Sequence, residues 1–145
     1  MVVYNKGFSE KLDRKVKQTC KKIQQDVKKE RLKSPSKSHA IYDFPATAVA
    51  CGVQKHNIIT SDTSHYPSQK EKFAKSLDIK LTELGRIGST RNGNVIGACA
   101  EQHSANSIMI KHPYEKIEDI QFSKAYRPRT ISPVKFCDNC KYLFK

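Results

Sequence analysis

Cys99-Ala100-Glu101-Gln102-His103 opens the stretch CAEQHSANSIMIK (99–111), and Cys137-Asp138-Asn139-Cys140 lies close to the end of the sequence. In the first stretch Ala105, Ile108 and Met109 share an inward face, which predicts a helix stopped by Pro113. The second reads as the opening of a last short helix running to Lys145. Cysteines at such helix starts meet the positive end of the dipole, which favours thiolate over thiol. Three thiolates, from Cys99, Cys137 and Cys140, converging on one cation make a zinc site whose fourth position can hold water. Glu101, two residues after Cys99, is expected to face that open side and serve as a general acid/base.

Upstream, residues 9–33 place Leu12, Val16, Cys20, Ile23 and Val27 at steps of four, four, three and four, one apolar stripe on a long lysine-rich helix. Ser9 is its expected N-cap and Ser34-Pro35-Ser36 its stop. A linker rich in Ser and Pro follows over 34–45. ATAVACGVQ (46–54) and NIITSD (57–62) then predict an antiparallel hairpin, with Cys51 as a small core residue. Phe73, Leu77, Leu81 and Leu84 predict a helix over 68–84 that breaks near Asp78. Gly85, Gly88, Gly93 and Gly97 predict a mobile loop over 85–98, which fits neither dinucleotide nor P-loop patterns. Ile117–Tyr126 reads as a strand and Arg127–Pro133 as a turn. The sum is an α/β, three-layer domain, with a small mixed sheet flanked by helices and zinc at the N-termini of two adjacent helices.

Length and composition fit one domain over 1–145: the chain is 145 residues long and 37% hydrophobic. Within it, 1–37 form a basic amphipathic helix region and 38–145 a sheet and zinc-site core. No apolar run approaches the roughly 18 residues of a membrane span, and Met1-Val2-Val3-Tyr4-Asn5-Lys6 turns polar too early for a secretory signal. No membrane partner is therefore expected. The net charge of +13 is concentrated at one end: 12 basic and 4 acidic groups lie in residues 1–37. Such an excess attracts polyanions, nucleic acid first, although a solvated lysine face explains the same charge. Five cysteines, an odd number with one C-x-x-C, argue for metal chemistry in an intracellular, reducing compartment rather than for a disulfide framework.

At Cys99-x-Glu101 and Cys137-x-x-Cys140 the sequence resembles the zinc-dependent cytidine deaminase superfamily, whose signature is His/Cys-x-Glu followed by Pro-Cys-x-x-Cys. GACAEQHSAN (97–106) and RPRTISPVKFCDNC (127–140) look most like deaminase domains of bacterial polymorphic toxins. The chain departs from the pattern where Phe136 stands in the place of the proline, Pro133 lying four residues before Cys137. It also ends five residues after Cys140, so recognition by later elements of larger members is not expected.

The resemblance implies a cytidine deaminase-like fold and hydrolytic deamination of a nucleobase. Cytosine in single-stranded DNA or RNA is the expected substrate, and Zn2+ the cofactor. A zinc-activated water would attack the amine-bearing carbon, with Glu101 moving its proton to the ring nitrogen and then to the departing amine. Arg127 and Arg129 would contact phosphate, unless they are ordinary turn charges. A toxin domain would act in the target-cell cytoplasm and meet an inhibitory (immunity) protein. Two other classes remain open: a deaminase of free nucleosides or nucleotides, and a non-catalytic zinc-stabilised nucleic-acid-binding module. In the latter, His103, four residues after Cys99, closes a Cys3His site and Glu101 is a mere first-turn charge. A redox C-x-x-C is a further reading. His39, His56, His65 and His112 are read as surface or hydrogen-bonding residues with no assigned role.

Overall fold

The segment with the apolar stripe forms one helix that lies across a sheet, in a computed structural model that describes residues 6–33, 44–68 and 71–144. The chain runs α1 (Lys6–Lys33), β1 (Ala48–Val53), β2 (Ile58–Thr63), α2 (Lys75–Leu84), β3 (Thr90–Arg91) and β4 (Asn94–Val95). It continues through α3 (Ala100–Lys111), β5 (Ile120–Phe122), β6 (Ala125–Arg127), β7 (Ser132–Val134) and α4 (Asp138–Leu143). Helix α1 begins at Lys6, upstream of the expected cap Ser9, because Phe8 extends the stripe by one turn and is buried. The expected stop at Ser34-Pro35-Ser36 and most of the 34–45 linker lie outside the described residues.

Strand β1 is central. It pairs with β2 in the expected hairpin, with Cys51 opposite Thr60. A 3₁₀ turn at Gln54–His56 closes the hairpin, and Asn57 takes the left-handed conformation (φ 52°) that ends it. Along its other edge β1 pairs first with β5 and then with β6, through Cys51–Phe122 and Ala48–Tyr126. Ser123 bridges the interruption: its N–H donates to the Ala50 carbonyl at 2.8 Å, and its hydroxyl accepts the Ala50 N–H at 2.9 Å.

Among the described residues every strand pairing is antiparallel, which corrects the expectation of a mixed sheet. Strands β2 and β5 do run in the same direction, as a helical crossover allows, but β1 lies between them and they never pair. The turn expected at Arg127–Pro133 is shorter, because Arg127 and Ser132 already pair and Pro133 sits opposite Tyr126 in β7. Proline is tolerated there because β7 is an edge strand.

Alternation along β1 creates the layers. Ala48 and Ala50 meet Phe8, Leu12, Val16 and Cys20 of α1. Cys51 and Val53 join Ala105, Ile108 and Met109 of α3, while Val49 meets Ala100. Helix, sheet and helix therefore form three layers, with α2 and α4 packed together beside α3. Helix α2 is a single helix starting at Lys75. Asp78 lies in its first turn, so the expected break does not occur there. No helix among the described residues is long and apolar enough to cross a membrane.

Gly52 sets the distance between α1 and β1. A methyl group added there would stand 2.3 Å from the Ile58 carbonyl oxygen and 2.7 Å from the Phe8 ring. Gly52→Ala should therefore destabilise the domain by about 1–3 kcal/mol, the usual cost of overpacking. A lower urea midpoint with an unchanged slope is the expected result, and an unchanged midpoint would show that α1 yields freely.

Candidate metal centre

Cys99 and Cys137 are the N-cap residues of α3 and α4, both extended (φ −70°, ψ 146° and φ −74°, ψ 154°). Cys140 follows in the first turn of α4, where its N–H donates to the Cys137 sulfur at 3.3 Å. The Cys99 and Cys137 sulfurs are 3.2 Å apart, and all three sulfurs lie within 4.8 Å of one another. Thiolates sharing a tetrahedral zinc stand about 3.8 Å apart when each Zn–S bond is about 2.3 Å. The cluster therefore fits a metal ion with little rearrangement.

The three thiols are bonded to one another. Hydrogen bonds from the thiols of Cys140 and Cys99 hold Cys137 far below the ordinary thiol range. The thiols of Cys99 and Cys140 are pushed up, chiefly because each is bonded to Cys137. Burial pushes the neighbouring carboxyl of Glu101, only 3% exposed, up to about 6. Cys20 and Cys51 take no part. Both are buried in the cores, where Cys51 contacts the Ser104 hydroxyl at 2.9 Å and burial raises its thiol to about 12.

Two buried amides that the sequence reading passed over hold this arrangement. Gln102 accepts the Gly97 N–H at 2.8 Å and donates to the Cys140 sulfur at 3.5 Å. Asn139 donates to the Arg91 carbonyl at 3.0 Å and accepts from the Asn92 side chain at 3.1 Å, fastening α4 to the β3–β4 hairpin. That hairpin occupies residues 90–95 within the mobile loop expected over 85–98, whose remainder is turns and irregular chain. Its Asn92-Gly93 tip has φ of 53° and 77°, the type I′ geometry that Asn-Gly favours and the one sequence signal that could have revealed it.

Cys99, Cys137 and Glu101 open onto a cleft of about 330 Å³, which Ser64, Asn94 and Arg127 also line. Arg127 is steadied by donation to the Ala46 carbonyl at 3.1 Å. Arg129 is not among the lining residues, and its carbonyl instead accepts from Gln24 of α1 at 3.1 Å. His103 does not join the cysteines. Its Nδ1 meets Glu71 at 2.9 Å and its Nε2 the His65 carbonyl at 2.9 Å, so the closed Cys3His arrangement is not formed.

Comparison of the chain with protein-family models, curated proteins and solved structures finds no match. The site therefore carries the functional argument: a mixed α/β domain with a three-cysteine cluster able to hold a metal ion beside a buried carboxyl. Cys137→Ser and Cys140→Ser should each lower bound metal by one equivalent in elemental analysis, whereas Cys20→Ser should not. Full retention of metal by both variants would rule out the cluster as its holder.

Proposed function

We propose that the chain is a zinc-dependent hydrolytic deaminase of a nucleobase, acting on cytosine in single-stranded DNA or RNA. The supporting observation is that the buried Glu101 and the sulfurs of Cys99 and Cys137 line a single cleft. At about 330 Å³ the cleft suits a ligand of roughly nucleotide size, since small-molecule pockets span roughly 300–1,000 Å³.

Cys99, Cys137 and Cys140 would hold the zinc, and three protein ligands leave one position for water. When bound, zinc supplies Lewis acidity and a water acidic near neutrality. Glu101 takes a proton from the attacking water and delivers it to the ring nitrogen beside the amine-bearing carbon. It then takes the remaining proton from the newly added hydroxyl and passes it to the amine, which leaves as ammonia while the carbonyl forms. A carboxyl raised to about 6 is matched to both halves of that shuttle near neutral pH. Gln102 keeps Cys140 oriented through its N–H to sulfur contact. Arg127 and Lys135 bring positive charge to the lining of the cleft, where a substrate phosphate would pass.

Glu101→Gln should retain metal and fold but lower ammonia release from a cytosine-containing single strand by at least about 10²-fold. Wild-type-like release would remove Glu101 from the chemistry. Release from free cytidine but not from oligonucleotides would keep the reaction and reassign the substrate.

The nucleic-acid part of the reading is supported by α1, whose Lys21, Lys22, Lys28 and Lys29 are all exposed. Through Gln24 the helix also contacts the Pro128–Arg129 turn that follows Arg127. Replacing those four lysines with Gln should weaken binding to single strands of every sequence. The log–log salt slope should flatten by up to about 3. An unchanged slope would make α1 a solvated face only.

A further inference from the structure

We propose that His65, Glu71 and His103 form a second divalent-cation site of the zinc class, which clamps the segment between β2 and α2 onto α3. His103 Nε2 lies 2.9 Å from the His65 carbonyl oxygen, an acceptor only, so this nitrogen carries the hydrogen. His103 Nδ1 stands 2.9 Å from Glu71 Oε1, also an acceptor, so a proton between the two occupies the position an ion would take. His65 repeats the pattern. Its Nδ1 faces the Thr63 carbonyl at 3.2 Å, which leaves Nε2 directed at the same Glu71 oxygen at 3.6 Å. One ring nitrogen of each histidine and a carboxylate oxygen thus gather within 4.8 Å, where a divalent cation displacing the shared proton would take all three as ligands.

The surroundings match a metal site in two further ways. A histidine ligand usually donates its second ring N–H to a backbone carbonyl or carboxylate, which fixes the ring, and both rings do so here. Two nitrogens and a carboxylate select zinc and its neighbours in the transition series rather than calcium or magnesium, which prefer oxygen. His103 is held rigidly, with its side chain 1% exposed and Phe73 at a ring-centroid distance of 6.0 Å. His65 stacks on it at 3.5 Å with the ring planes 15° apart; its ring, 48% exposed, has room to tilt out of the stack, which an ion shared by both nitrogens requires.

The site would fix one wall of the cleft without touching its chemistry. His65 donates its backbone N–H to Ala98 at 3.0 Å, and its neighbour Ser64 lines the cleft. At the far end of the segment Asn106 of α3 binds the Ala74 N–H at 2.7 Å and the Lys72 carbonyl at 2.9 Å. An ion at His65 and Glu71 would anchor the near end in the same way.

Zinc content after equilibrium dialysis of the full chain tests the proposal, together with cobalt(II) absorption, in which thiolate ligation gives an intense charge-transfer band. Wild type should bind two equivalents. His65→Ala, at an exposed position, and Glu71→Ala should each bind one and keep the thiolate band. Cys137→Ser should lose that band and retain the equivalent that His65→Ala removes. Equal metal content in wild type, His65→Ala and Glu71→Ala overturns the proposal, because a proton then bridges His103 and Glu71. Loss of the thiolate band from wild type would count against the cysteine centre alone, so the two sites fail separately.

Discussion

Phe8 and Leu12 of α1 close onto Gly52 of β1 so tightly that an added methyl group would lie 2.7 Å from the Phe8 ring and 3.2 Å from Leu12. That approach is possible because the face of β1 turned to α1 carries only Ala48, Ala50 and Gly52. The opposite face, with Val49, Cys51 and Val53, is then left to seat α3. Helix α3 is nearly all buried, including Gln102, Ser104 and Asn106, and each of these finds a polar partner. A buried polar group without a partner costs about 1–3 kcal/mol, so the contacts fix the rotation of the helix as well as its position. Cys99 and Glu101, at the start of α3, inherit that rotation.

Much of this was legible in the sequence because its signals are local. The Leu12–Val27 spacing marks one face of one helix, and the run around Cys51 marks a strand buried on both sides. The positions of Cys99, Cys137 and Cys140 followed from helix starts and spacing. The corrections arose where one residue outweighed its neighbours. Pro133 disguised an edge strand, and four glycines over 85–98 obscured the Asn92-Gly93 turn between β3 and β4.

What stayed hidden depends on long-range partners. Nothing near Gln102 announces that its amide meets the Cys140 sulfur, 38 positions away. The same holds for Asn139 and the β3–β4 hairpin, 48 positions upstream at Arg91. His103 stands four residues after Cys99, the helical spacing of a shared ligand set, yet Glu71 and the His65 carbonyl capture both of its nitrogens. Helical spacing states which side chains share a face, not which partner reaches that face first. The mixed sheet failed for a related reason, since strand direction was implied by the crossover while strand order was not.

Helix α4 is six residues long and follows β7 after a connection of three residues. Cys137, at its start, meets Cys99 of α3 at 3.2 Å. The burial of Cys140 and Leu143, the Asn139 contacts and a Tyr142–Glu83 hydrogen bond of 2.7 Å hold the helix in place. Any ion that binds only the docked form adds RT ln(1 + [L]/Kd) to its stability. An ion held by Cys99, Cys137 and Cys140 would therefore tie α4 to α3 more firmly as its free concentration rises, while the layers built on β1 rest on contacts of their own.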